Sequence, residues 1–240
     1  MNRSYFYILI FVGMSIQAQL STKHKQLIGK DSTHLQSVKG HFLTTDAANA
    51  YVKMKSAALK DSINIMLVSA YRSYNHQKNI WNRKYNRYQQ KGYTTNEIFD
   101  KITDYSTFPG TSRHHWGTEI DIIENTNNRP TSNVLNEKHF TRGGAFYNMY
   151  QWLEENAHRF GFYETYTNEP SRKGFKFEPW HYSYRPESKE NLRIYIESNL
   201  YEHCLKLPVS GISQVKRQIK DSYFKEQLMD INPDLRVKNK

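Results

Sequence analysis

Two short segments carry side chains whose types and spacing suit metal-assisted hydrolysis. The first runs Ser112-Arg113-His114-His115-Trp116-Gly117-Thr118-Glu119-Ile120-Asp121, and the second Glu178-Pro179-Trp180-His181-Tyr182. A catalytic zinc takes three protein ligands and keeps a further position open for water. Imidazole and carboxylate are suitable donors, so His114, Asp121 and His181 are candidate ligands, with His115 as an alternative to His114. Glu178 stands close to His181 in sequence, where a carboxylate could deprotonate the activated water. Taken singly these residues say little. A His beside an aromatic is more often structural, and this His-to-Asp spacing is far less specific than His-Glu-x-x-His. Their combination carries the argument.

Positioning them requires a loop, two strands and a bend. Thr107 to Gly117 contains Pro109 and Gly110 and reads as a loop carrying His114. Glu119 to Ile123 is strand-like, with Ile120 and Ile122 opposite Asp121 and Glu119 on the same side as Asp121. Phe162 to Tyr166 and Phe175 to Tyr184 also read as strands, joined by a polar stretch with Pro170 and Gly174. Positions 178 and 181 differ by an odd number, so an ideal strand aims them at opposite faces. Pro179 disfavours an ideal strand, and a bend is expected that brings Glu178 in from the rim.

Helices frame these segments. Thr45-Asp46 starts one that runs to about Lys60, with Ala48, Tyr51, Val52, Ala57 and Leu59 on or near one face. Ile63 to Ser69 reads as a buried strand. Ser73 caps a long helix through Gln90 that Gly92 ends. A shorter helix follows Thr95 and stops before Ser106. Gly144 to Arg159 is amphipathic and stops at Gly161, and two more helices span about Pro186 to Asn199 and Ser210 to Met229. Strands interleaved with helices and joined by hairpin-like links predict an α+β fold, with a small antiparallel sheet flanked by helices.

The 240 residues suit one domain with a proper core. The 18 Tyr and 12 Phe exclude a disordered chain. Arg3 followed by the largely apolar run from Tyr5 to Ile16 and by Gln17-Ala18-Gln19 reads as a secretory signal over residues 1–18. The run is too short to span a bilayer, so no transmembrane anchor is expected after cleavage. The formal charge is +11, and +10 without that leader, which favours anionic polymers such as a cell wall. The basic residues are scattered rather than clustered with aromatics, so no specific nucleic-acid partner is expected. Cys204 is the only cysteine, which excludes an internal disulfide; its surroundings suit a buried structural thiol.

Together the two segments resemble the Ser-x-His-x-x-Gly-x-Ala-x-Asp and Glu-x-Trp-His motifs of the VanY-type D-alanyl-D-alanine carboxypeptidases. Ser69-Ala70-Tyr71-Arg72-Ser73, with Gln77 a turn later, is similar to their upstream Tyr-Arg-Ser segment. The three motifs come in the family's order, and the resemblance covers about residues 40–190. It implies zinc on His114, Asp121 and His181, with Glu178 as base. Arg72 is implied as the cation that steadies the oxyanion and binds substrate. Ser112 either hydrogen-bonds the substrate or orients and caps the loop, and Gln77 is a further candidate substrate contact. Family spacing favours His114 over His115. Trp116 and Trp180 are expected to wall the pocket or pack in the core.

One position departs from the pattern. Glu119 stands where Ala is expected, and either reshapes a substrate subsite or leans out to solvent. The resemblance implies an exported peptidase acting on peptidoglycan stem peptides in the periplasm or cell-wall space, and a D-alanyl-D-alanine carboxypeptidase first. L,D-carboxypeptidases, D,D-dipeptidases and endopeptidases share the metal motif. A non-catalytic wall-binding module is the rival of another class. The domain is expected over residues 19–240, with a core at about 40–190 and a helical extension at about 200–240.

Overall fold

Alternation in Glu-Ile-Asp-Ile-Ile-Glu produces strand β4 (Glu119–Glu124), one of the two inner strands of a four-stranded sheet. The computed structural model describes residues 20–237, so the leader expected over residues 1–18 lies outside the described residues. The flanking strands are β3 (Ile65–Ser69) on one side and β6 (His181–Tyr184) on the other, with β5 (Phe162–Glu164) beyond β6. Every pairing is antiparallel, as the α+β expectation required. Side chains alternate across a strand. Ile120, Ile122 and Tyr182 therefore enter an apolar core, whereas Glu119 and Asp121 share the other face with their direct partners Ser183 and His181.

That apolar core is closed by α2 (Thr45–Lys60) and α5 (Tyr147–Asn156). A second core gathers α1 (Thr22–Leu27), α3 (Tyr74–Gln89), α4 (Thr95–Thr103), α6 (Arg185–Glu197), α7 (Leu200–Leu205) and α8 (Arg217–Tyr223). His181, on the polar face of the sheet, meets this second core, its ring 5.0 Å from that of Tyr166. Caps fix the helix starts. Ser73 Oγ accepts from the His76 N–H at the head of α3, and Thr94 and Glu97 form a capping box on α4. Among the described residues, no helix is long and apolar enough to cross a membrane.

Several elements differ from expectation for identifiable reasons. The strand expected over 175–184 begins only at His181, because Pro179 and Trp180 form a turn closed by the His181 N–H bonding to the Glu178 carbonyl at 2.9 Å. Val52 and Leu59 are 50% and 58% exposed. The buried arc of α2 runs through Tyr51 and Ala58, each one residue earlier. The helix expected from Gly144 starts at Tyr147 and tightens to a 3-10 turn at Ala157–Phe160. The helix expected over 210–229 is broken into a 3-10 turn (Ile212–Gln214), α8 and a π-helical turn (Phe224–Leu228). An antiparallel hairpin of β1 (Leu35–Val38) and β2 (His41–Thr44) was not anticipated.

Candidate metal centre

Asp121 and His181 are direct cross-strand partners of β4 and β6, and their side chains project from the same face. His114 reaches them from a 3-10 turn, Arg113–Trp116, that Gly117 ends in the left-handed conformation at φ 71°. A Cβ at Gly117 would collide with the Leu35 side chain, so the turn needs glycine both for its φ and for its close approach to β1. One ligand atom from each of His114, Asp121 and His181 lies within 4.8 Å of the others. All three residues are about 95% buried, at the floor of a cleft of about 610 Å³.

The hydrogen bonds select the ring nitrogens that face the centre. His114 Nδ1 lies 2.6 Å from the Ala70 carbonyl, which can only accept, so Nδ1 carries the proton and Nε2 presents a lone pair. His181 Nε2 lies 3.0 Å from the Glu119 carboxylate, so its proton is on Nε2 and Nδ1 is the inward nitrogen. His114 Nε2 is 3.4 Å from Asp121 Oδ2, and His181 Nδ1 is 3.3 Å from Asp121 Oδ1. Asp121 Oδ1 is buried without a hydrogen bond, an orphan acceptor of the kind a cation satisfies.

The electrostatics call for positive charge at the same spot. Burial pushes the His181 imidazole down, but the surrounding carboxylates of Asp121, Glu119 and Glu178 outweigh it, favour positive charge and hold the ring well above its ordinary value. Burial pushes the Asp121 carboxyl up, yet the imidazoles of His114 and His181 outweigh it and hold the group well below the usual carboxylate range. Two imidazoles and a carboxylate are a donor set suited to zinc, and they fit one here.

Glu178 sits on the rim, its Oε2 3.4 Å from His181 Nδ1, where the Pro179–Trp180 turn delivers it. Its backbone N–H is anchored to the Tyr166 carbonyl at 3.1 Å. Arg72 lines the cleft. Its backbone N–H donates to the His114 carbonyl at 3.0 Å, and its Nη1 donates to Gln77 Oε1 at 3.0 Å. Ser112 also lines the cleft and its side chain makes no capping bond. Gln77 is a correction. It is fully buried, and its Nε2 donates to the Thr107 carbonyl at 2.7 Å, so it holds Arg72 and the loop rather than a ligand in the cleft.

His115 is not an alternative ligand. Its Nδ1 meets the Arg72 carbonyl at 2.5 Å and its Nε2 accepts from the Gly110 N–H at 3.1 Å, so both nitrogens are committed. Burial pushes its imidazole down to about 3, which keeps it neutral. Trp116 packs in the core, its indole N–H donating to the Leu27 carbonyl, while Trp180 lines the cleft. The Cys204 thiol is fully buried and burial pushes it up to about 12, as suits a structural thiol.

Glu119 neither reaches a subsite nor meets solvent, contrary to both expectations. It is completely buried. Its Oε1 accepts from Arg113 Nη2 at 3.2 Å, Ser183 Oγ at 2.7 Å and Thr118 Oγ1 at 3.2 Å, and its Oε2 faces His181. Burial pushes the carboxyl up, but the Arg113 charge and the His181 and Ser183 hydrogen bonds outweigh it and bring it to about 2. Tyr166 and Phe177 also line the cleft and carried no sequence signal, because they lie on irregular segments outside any motif.

A family model described as VanY, D-alanyl-D-alanine carboxypeptidase, matches residues 40–187. A D-alanyl-D-alanine carboxypeptidase of Enterococcus faecalis is 32% identical over 133 residues, 53% of this chain and 42% of the relative. The match thus spans less than half of that relative's length. Among solved structures, VanYB in complex with D-alanine-D-alanine aligns with a TM-score of 0.50 at 26% identity, covering 72% of this chain and 89% of that one. The LdcB LD-carboxypeptidase aligns at 0.50 and 24% identity, covering 80% and 72%, a likeness of fold alone.

Proposed function

The chain belongs to the VanY D-alanyl-D-alanine carboxypeptidase family, and from that premise we propose that it is an exported zinc peptidase that hydrolyses peptidoglycan stem peptides. The preferred reaction is release of a terminal D-amino acid, with D-alanyl-D-alanine termini first. The observation that carries this reading is the convergence of His114, Asp121 and His181 at the floor of a cleft, with the Glu178 carboxylate 3.4 Å from His181 Nδ1. Residues 19–240 are read as the peptidase domain, with about 200–240 as its extension.

His114 Nε2, His181 Nδ1 and the Asp121 carboxylate would hold the zinc. Bound there, zinc supplies Lewis acidity to a scissile carbonyl and makes water acidic enough to lose a proton near neutral pH. Glu178 takes that proton from the attacking water and returns it to the leaving amine. Arg72 lies in the same cleft, and its guanidinium offsets the negative charge that develops on the carbonyl oxygen. Gln77 keeps Arg72 from swinging away. Trp180 and Tyr166 exclude water from the walls and strengthen these charges.

Synthetic stem peptides ending in D-alanyl-D-alanine, in a single D-alanine after meso-diaminopimelate or lysine, and in cross-linked form distinguish the possible bonds by product mass. Loss of one D-alanine from the first, abolished by a chelator and restored by zinc, is the expected result. No product, or products indifferent to metal removal, overturns the reading. Glu178→Ala is expected to keep zinc bound while turnover falls by about 10²–10⁴-fold. Retained turnover removes Glu178 from the role of base.

A further inference from the structure

The family motif carries Ala where this chain carries Glu119, and a carboxylate buried without purpose beside a metal ligand is a costly substitution. From its geometry we infer that Glu119 is a positioning residue for the metal centre: it fixes the tautomer and rotation of His181 and, with Arg113 as its counter-charge, tightens zinc binding. The inference rests on the zinc reading given above and extends it to a residue outside the ligand set.

Three observations support it. First, Glu119 Oε2 is 3.0 Å from His181 Nε2, and Thr165 Oγ1 donates to the same oxygen at 3.4 Å. A carboxylate can only accept, so His181 donates from Nε2 to Glu119, and Nδ1, 3.3 Å from Asp121 Oδ1 and 3.4 Å from Glu178 Oε2, is the nitrogen left to face a zinc ion among these carboxylates. Second, the carboxylate is itself immobilised. Arg113, Thr118 and Ser183 hold Oε1, and Ser183 is in turn tied to Ser188 of α6 at 2.8 Å. Third, the charge is balanced. Arg113 is buried and its guanidinium also lies 4.6 Å from the Trp116 ring centroid, so the network adds no net charge to the site. A carboxylate behind a ligating imidazole orients the ring and strengthens it as a donor. With Ala at this position His181 Nε2 would have no partner in this network.

The test reads zinc affinity rather than turnover. Glu119→Gln preserves size and an acceptor oxygen but removes the charge and places an amide where Arg113 or His181 donates. Competition against a chelator is expected to show zinc bound about 10–100-fold more weakly, and the rise in Tm that zinc confers shrinks with it. If Glu119 serves the fold only, Tm falls equally with and without zinc and the zinc Kd stays within about twofold of the parent; that outcome overturns the inference. A variant-free measurement covers the case in which Glu119→Gln does not fold. Long-range nitrogen-15 correlation spectra of the zinc-loaded parent chain are expected to show His181 metal-bound through Nδ1 with its proton on Nε2. Coordination through Nε2 overturns the inference. The two readings fail separately. A parent chain that binds zinc through His181 Nδ1 yet cleaves no stem peptide loses the proposed activity alone. One that cleaves stem peptides while Glu119→Gln binds zinc undiminished loses the role of Glu119 alone.

Discussion

Arg72 is held by main chain as well as side chain. Its N–H donates to the His114 carbonyl, its own carbonyl meets His115 Nδ1, and its Nη1 bonds Gln77. A main chain fixed at two points and a guanidinium tethered by Gln77 present charge with little rearrangement during reaction. Arg72→Ala is therefore expected to lower kcat by about 10²–10³-fold while the zinc Kd stays near that of the parent. Steady-state kinetics with chelator competition checks this, and an equal loss of zinc would make Arg72 a structural residue instead. At this scale the residue types and the motif order were informative. His114, Asp121 and His181 lie together, Glu178 stands 3.4 Å from His181 Nδ1, and the chain turns at Pro179. The fates of Gln77 and Glu119 were not readable, because hydrogen-bonding partners such as Thr107, Ser183 and Thr165 are distant in sequence.

Among the elements, the segment after α7 has the least obvious purpose and a clear mechanical one. Tyr223, at the end of α8, accepts from the Phe108 N–H at 2.9 Å and pairs with Thr111 Oγ1 at 2.7 Å, which pins the loop leading to Ser112 and His114. Further along, the Asp230 carbonyl accepts from Arg172 Nη1 and its carboxylate from the Lys173 N–H, both at 2.6 Å, which pins the loop leading to Glu178. The extension thus braces both chain segments that deliver the site. Tyr223→Phe leaves the buried Phe108 N–H without its acceptor and is expected to destabilise the protein by about 1–3 kcal/mol. Denaturant melts measure it, and an unchanged midpoint would show that water or another group takes over. Sequence periodicity located α2, α3 and α4 well, since caps and apolar spacing are local signals. It missed the β1–β2 hairpin, whose turn at Lys39-Gly40 has φ values of 50° and 81°, although a Gly in that place is a recognisable turn signal. It also ran the last helix through a break that only tertiary packing imposes.

For the molecule as a whole, one carboxyl outside the metal centre gives stability a distinct pH dependence. Glu164 of β5 has a buried oxygen without a hydrogen-bond partner; burial, reinforced by the Glu154 carboxylate, pushes it up to about 8 from an ordinary value of 4.5. Between those values the folded chain keeps a proton that the unfolded chain has released. Folding then binds protons, so this group's contribution to stability declines as pH rises through that window. Glu164→Gln cannot ionise. It is expected to melt near the parent at pH 4.5 and above it at pH 8, at roughly 2–4 °C per kcal/mol recovered. Thermal melts at both ends test this, and a Tm difference that does not grow with pH would contradict it.

The direct pairing of Asp121 with His181 also ties the site to the folding reaction. The same ladder pairs Ile120 with Tyr182 inside the apolar core, so ligand spacing and core packing depend on one register. A slip of a single residue would turn every side chain of β6 to the other face and separate the imidazole from the carboxylate. A chain collapsed in the wrong register has no ligand set to offer. During refolding, uptake of the ion is therefore a clock for the correct meeting of these two strands, two segments about sixty residues apart that must find each other across the slow, long-range step of β assembly.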